Sequence, residues 1–199
     1  TDRSLGMVVM THIDGDHSKG LLELLNRYDV ATVVVGDNPM DDQSSQEWQA
    51  RLDREHIDPV EASAGQVLEV EPGVTLEVPN PAAVPFVGSG ADRNNNAVVL
   101  RLVYGRVSFL LASDIEAFTE DYLVRTSFVL ESILLKAAHH GSHSSTIPAF
   151  LGQVNPAVAV ISAESGNQSG HPHPEVPNRL EEALGWKESS GRTGKEPSS

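Results

Sequence analysis

The chain has 199 residues, 39% of them hydrophobic and 21% charged, which is the balance of a globular domain with a substantial core. A formal net charge of -14 and the lack of any cysteine exclude disulfides, thiolate metal ligands and a basic coat that would hold nucleic acid by charge alone. No apolar stretch is long enough to span a bilayer, and a bound metal would need His, Asp, Glu or Asn ligands.

Leu5 to Met10 (LGMVVM) reads as a short, continuous, fully buried strand. The chain opens inside that strand, as a fragment of a longer protein would. Ser18 to Tyr28 reads as a helix, with Ser18 available as its cap and Leu21, Leu24, Leu25 and Tyr28 on one face. Val30 to Val35 (VATVVV) is a second buried strand, and strand–helix–strand spacing predicts a parallel crossover. Ser44 or Ser45 opens a second helix that runs to about His56, a surface residue near its C-terminal end rather than a ligand.

From Asp58 to Pro81 the pattern is short strands broken by Gly and Pro, and Asn80 to Asn96 is a Pro/Gly/Asn-rich loop of the length that often carries function. Ala97 to Tyr104 and Val107 to Ala112 read as a hairpin turned at Tyr104-Gly105-Arg106. Ile115 to about Ser127 reads as a helix, Ile133 to Ala138 and Ala157 to Ser162 as buried strands, and Pro174 to Leu184 as a closing helix with Pro174 in its first turn. Residues 1–185 are thus expected to form one domain. Residues 186–199 lack apolar anchors and are expected to be a disordered tail.

The chemistry concentrates where strands end. His12-Ile13-Asp14-Gly15-Asp16-His17 follows the first strand, placing four metal-competent side chains in six positions at the carboxyl edge where crossover sheets bind ligands. Imidazole and carboxylate suit zinc, and carboxylates also suit harder cations such as manganese. Asp114 follows VSFLLAS; as a lone residue it would serve equally as the N-cap of the next helix. His139-His140-Gly141-Ser142-His143 follows ILLKAA, and His171-Pro172-His173-Pro174 precedes the last helix, where a rigid surface loop is an even alternative. Strands ending near Met10, Ala112 and Ala138 would meet if they were parallel neighbours.

Taken together, T-H-x-D-x-D-H-x-x-G, "NNNAVVLRLVYGRVSFLLASDIE", "LKAAHHGSHSST" and "GHPHPEVPNRLEE" resemble the metallo-β-lactamase fold superfamily. Within it they resemble the C-terminal hydrolase domain of ComEC-type competence DNA-uptake proteins and related free-standing hydrolases. The likeness runs from about Met7 to Leu184. It implies a four-layer αββα fold with a metal site at one edge of the β-sandwich. By position it implies His12 and Asp14 on one divalent cation, Asp16 and His17 on a second, Asp114 bridging both, and His139 as the later ligand with His140 an alternative. Asn96 stands where many members carry another histidine, as a weak ligand or phosphate contact. Against the usual form, the opening "DVGQGD"-like strands and the final strand are expected to be missing, which would leave sheet edges open to association.

The implied activity is phosphodiester hydrolysis, with DNA as substrate, by a water shared between two cations. Asp16 would orient that water, and His140, His143 or His171 would donate to the leaving group. Ser142, His143 and His173 are substrate-contact candidates. Asp14 in place of a histidine hardens the site and tilts it toward manganese over zinc. A free-standing form would be cytoplasmic, and one attached to a membrane channel would face outward. The same fold hosts ester, thioester and lactone hydrolases, and a non-catalytic interaction module is the third reading.

Overall fold

The structure is a computed structural model that describes residues 3–36 and 43–185; the expected tail at 186–199 lies outside the described residues. Strands β1 (Ser4–Leu5) and β2 (Val8–Met10) precede helix α1 (Gly15–Arg27), followed by β3 (Asp29–Val30), β4 (Val33–Val35), α2 (Gln43–Glu55) and β5 (Val60–Glu61). Next come β6 (Val67–Glu71), β7 (Val74–Asn80), the short α3 (Asp92–Asn95), β8 (Val99–Tyr104), β9 (Val107–Leu111) and α4 (Ala117–Val124). The chain then runs through β10 (Leu134–Lys136), α5 (Pro148–Val154), β11 (Val158–Val160) and α6 (Glu175–Ala183).

Two sheets carry the core. β2, β4 and β5 form a parallel three-stranded sheet, and β6 to β11 form a six-stranded sheet in the order β11-β10-β9-β8-β7-β6. Alternation along each strand explains the layering, because successive side chains leave a strand on opposite faces. In β4, Val33 packs with Met10, Leu25, Trp48 and Leu52 beneath α1 and α2. Its neighbour Val34 packs with Leu76, Val78, Val98 and Leu100 between the sheets. In β8, Leu100 faces that inter-sheet layer, while Val99 turns to Leu110, Leu123, Phe150 and Leu180 beneath α4, α5 and α6. The result is helices, sheet, sheet, helices: the αββα sandwich.

The predicted hairpin is present, with Tyr104 opposite Val107. β9 and β10 are parallel neighbours, so their carboxyl ends lie side by side. The first strand differs from expectation. It breaks at Gly6, and β2 belongs to the facing sheet, so its end reaches those of β9 and β10 across the sandwich rather than along one sheet. A hydrogen bond from Val98 N to Thr11 O (2.9 Å) ties the two sheets at this edge. Gly36 permits the approach: a Cβ there would stand 2.9 Å from Thr11 O and 3.0 Å from a Val98 methyl. Helix α5 was not foreseen, because Pro148-Ala-Phe-Leu-Gly gives little periodic signal; Pro148 sits in its first turn. His56 lies just past α2 with φ 55, exposed.

Candidate metal centre

The opening loop presents its polar residues because Ile13 is pinned in the helix-side core, which turns His12 and Asp14 the other way. His12 is 1% exposed. Its Nδ1 shares a hydrogen bond with Thr11 Oγ1 (3.1 Å), leaving Nε2 toward the site. α1 starts at Gly15, three residues earlier than the expected start at Ser18. Asp14, not Ser18, takes the N-cap position, and its carbonyl accepts from His17 N (3.0 Å) and Ser18 N (2.8 Å). Asp16 and His17 therefore stand on the first helical turn, where the exposed N–H groups favour a carboxylate.

Asp114 follows β9 and is 3% exposed. Its carboxylate does not cap α4, whose N-cap position is Glu116; it faces imidazoles instead. Ala138–Gly141 form a single tight turn after β10, in which His139 (φ 47) and His140 (φ 54) are both left-handed. That backbone sends the adjacent rings apart. His140 Nε2 lies 3.2 Å from Asp114 Oδ2 and 3.4 Å from Asp16 Oδ2, whereas His139 Nδ1 lies 3.4 Å from Glu116 Oε1. His140 Nδ1–H donates to the Ser162 carbonyl (2.8 Å), which points Nε2 at the carboxylates, the arrangement that orients a metal-binding imidazole.

His17 Nε2 completes the group at 3.4 Å from Asp114 Oδ2 and 3.8 Å from Asp16 Oδ2. Among the described residues, Asp16, His17, Asp114 and His140 each offer a ligand atom, all within 4.8 Å of one another. Donors held tetrahedrally ~2.0–2.2 Å from one ion are separated by ~3.3–3.6 Å, close to these spacings. His12 Nε2 and Asp14 Oδ2 stand 3.8 Å apart beside them, with the His12 and His17 ring centroids 4.2 Å apart. Nε2 of His12, His17 and His140 and Oδ1 of Asp114 are buried without a hydrogen-bond partner. Such atoms are costly unless satisfied, and divalent cations are groups that could satisfy them.

The electrostatics follow from this crowding. Burial and the His17 charge pull His12 down to about 4 against the nearby aspartates, so it is neutral at pH 7, the form that binds metal. Burial pushes the Asp114 carboxyl up, but the close approach of the His140 and His17 imidazoles outweighs it and holds the group well below the usual range. The Asp114 carboxylate beside it raises His140 despite burial.

The remaining candidates are placed as follows. His171 stacks on His140 with centroids 6.5 Å apart and lines a cavity of about 390 Å3 with Asp16, His140, Ser162, Glu164 and Asn167. Burial, then His139 and His140, lower its pKa. His143 and His173 pair with each other, rings 5.5 Å apart, outside the four-residue group. Ser142 Oγ bonds Ser144 Oγ (3.0 Å). Asn96 donates to the carbonyls of Phe86 and Asp92 and accepts from Phe86 N, so both ends of its amide are used by backbone. Sequence reasoning missed Glu116 beside His139, Lys136 and Arg93. Lys136 Nζ is buried without a hydrogen-bond partner, and burial lowers its pKa against the pull of Asp114. Arg93 Nη1 donates to Asp14 Oδ1 (2.9 Å). A glutamate two positions after Asp114 was a readable signal; a partner 79 positions from Asp14 was not.

Comparison with known proteins identifies the family and the fold. A sequence model of the metallo-beta-lactamase superfamily matches residues 5–165. ComE operon protein 3 of Bacillus subtilis is 28% identical over 174 residues, 87% of this chain and 22% of that protein. Competence protein ComA of Neisseria gonorrhoeae is 37% identical over 97 residues, 48% of this chain and 14% of that protein. The chain thus spans less than a quarter of either relative. Igni18, a metallo hydrolase from Ignicoccus hospitalis, shares the fold at TM-score 0.54 and 18% identity, covering 90% of this chain and 71% of that one.

Proposed function

The chain belongs to the metallo-beta-lactamase superfamily, and on that premise we propose that it is a metal-dependent phosphodiesterase whose substrate is DNA. One observation carries the metal dependence: Asp16, His17, Asp114 and His140 converge from three remote segments with His12 and Asp14 beside them, and Nε2 of His12, His17 and His140 and Oδ1 of Asp114 are buried without a hydrogen-bond partner. Asp16, His17, Asp114 and His140 would hold one divalent cation. His12 and Asp14 would hold a second, with Asp114 between them. His140 is preferred to His139 as ligand because its Nε2, not that of its neighbour, faces Asp16 and Asp114. Three carboxylates make the donor set hard, which favours manganese over zinc.

Bound cations would supply an acidified water as nucleophile and a counter-charge for the developing oxyanion. The chain's own residues do the rest. Asp16, 63% exposed at the mouth, would orient an incoming water. His171, which lines the cavity beside His140, would give a proton to the leaving oxygen. DNA as substrate draws support from the relatives named for competence and the ComE operon. With a net charge of -14, a polyanion would be drawn only to a locally positive site, which cations create.

The test measures metal content and turnover of bis-p-nitrophenyl phosphate, single-stranded DNA and simple lactones, with and without Mn2+. The expected outcome is manganese-stimulated diester cleavage that His140→Ala lowers by at least about a hundredfold together with bound metal. His139→Ala should keep its metal. Lactone turnover without diester cleavage would transfer the assignment to carboxylic ester chemistry, and absence of both metal and turnover would leave an interaction module.

A further inference from the structure

Beside the metal centre stands an exposed apolar and aromatic patch that the chemistry above leaves unused. Val84 and Val87, which flank Phe86 in the loop between β7 and α3, are 79% and 89% exposed, and Phe118 on the first turn of α4 is 51% exposed. Single exposed hydrophobic residues are ordinary, but a cluster of them marks a surface that meets something. An aromatic row builds this one from the core outward. Phe118 and Tyr122 lie four residues apart on one face of α4. Phe86 packs edge-on with both, its ring centroid 5.1 Å from each. Tyr122 is anchored on the core beneath α4. Asn96 clamps the Phe86 backbone, accepting from its N–H (2.8 Å) and donating to its carbonyl (2.9 Å). The row is therefore fixed at its inner end and open at Phe118.

Its position ties it to the centre. Glu116, two residues before Phe118, has Oε1 3.4 Å from His139 Nδ1, and Ala117 N donates to Ser144 O (2.7 Å) in the segment that carries His140. Resting on the phosphodiesterase reading above, we propose that Phe118, backed by Phe86, stacks an unpaired base of the strand being cleaved and so makes the centre selective for single-stranded DNA. The chemistry of the patch suits the base and not the backbone. Residues 81–91 (PAAVPFVGSGA) carry no charged side chain. The adjoining charges are the acidic Asp92 and Glu116, and Arg93, which is engaged with Asp14. This surface therefore offers phosphate little, and the cations of the centre would take the backbone. An aromatic face is what a flat, uncharged base binds, with little regard to sequence. Duplex DNA keeps its bases stacked and paired, so only an unpaired strand can lay one on Phe118. A strand whose diester is held at the cations brings a flanking base to the ring.

The test uses the full chain with Mn2+ and reads binding and cleavage separately. Fluorescence anisotropy follows a single-stranded phosphorothioate oligonucleotide, the same strand carrying abasic residues, and the duplex; cleavage is measured on the phosphodiester versions. The wild type should favour the strand with bases over the abasic strand, and over duplex, by at least about fivefold, the smallest effect expected of one stacked base. Phe118→Ala should erase the base preference and Phe118→Trp should keep it. Phe118→Leu, apolar but without an aromatic face, should behave as Phe118→Ala. Tyr104→Ala, which removes an exposed aromatic at the far end of β8, should keep the preference. Each preference is a ratio within one variant, so a loss of folded protein cancels from it. No base preference in the wild type, or one that Phe118→Ala or Phe118→Leu retains, would overturn the proposal. So would lactone turnover that rises with acyl-chain length and falls in Phe118→Ala, because the patch would then seat an acyl chain. Base-dependent binding that Phe118→Ala abolishes, with no strand cut, would instead sink the phosphodiesterase reading and leave this one standing; neither binding nor cleavage sinks both.

Discussion

Glu120 gives a stability prediction with a sign and a size. It lies on α4, is 0% exposed, and accepts hydrogen bonds from Thr146 N (2.6 Å) and Ile147 N (2.7 Å) where α5 begins. Burial pushes its carboxyl from 4.5 to about 7, against those two donors and the charge of Arg179. Between these values the folded state holds a proton that the unfolded state has released. Stability from this group is therefore fully present below pH 4.5 and lost as pH rises through 7. From pH 5.5 to 8 the loss is roughly 2 kcal/mol, or on the order of 1 M in urea midpoint for a protein of this size. Glu120→Gln removes the titration while keeping an acceptor. Other groups slope the opposite way: His12, depressed by burial, and Asp114, held low by its imidazoles, both favour higher pH. The measured quantity is therefore the wild-type-minus-variant difference in urea unfolding, metal-free, at several pH values. A difference that stays flat between pH 5.5 and 8 refutes the argument.

Two further substitutions probe the frame of the site. Gly141→Ala puts a Cβ at φ +82, 2.7 Å from Pro172 Cβ and 3.1 Å from its Cα; left-handed strain and overpacking should together cost roughly 2–4 kcal/mol. A thermal melt should fall by on the order of 10 °C, and a shift under about 2 °C would show that the turn relaxes without cost. Asn96→Ala should cost roughly 2–4 kcal/mol by stranding the Phe86 and Asp92 backbone groups it serves. Elemental analysis of the folded variant should find unchanged metal, whereas a loss of ion at intact stability would restore Asn96 as a ligand.

The architecture was readable where one strand decides its own environment. VATVVV was expected as one strand and is two, β3 ending at Val30 and β4 starting at Val33 in a different sheet, but within β4 Val33 and Val34 do point to opposite layers. Helix starts were less legible. The α1 leucines, which begin at Leu21, mark only part of the core-facing stripe, while the backbone is already helical at Gly15. Capping residues misled for the same reason: Ser18 looks like a cap but lies buried inside the first turns. α5 begins under the control of Glu120, a contact across 26 positions, and local propensity cannot report it.

The site shows the same division between near and far. Clusters at strand ends were visible because a ligand set built on loops must break an apolar pattern, and HIDGDH and HHGSH break it abruptly. Which member of a cluster faces inward was not visible. His139 and His140 are chemically identical neighbours, and only two successive left-handed residues separate their directions. A sequence specifies that outcome through Gly141, whose packing against Pro172 has no room for a side chain. The partners of the cluster are more remote still. Arg93, Glu116 and Ser162 reach Asp14, His139 and His140 from separate loops, so the residues that tune the donors are those that a linear reading is least able to assign. Donor identity is thus a property of short segments, whereas donor strength is a property of the fold.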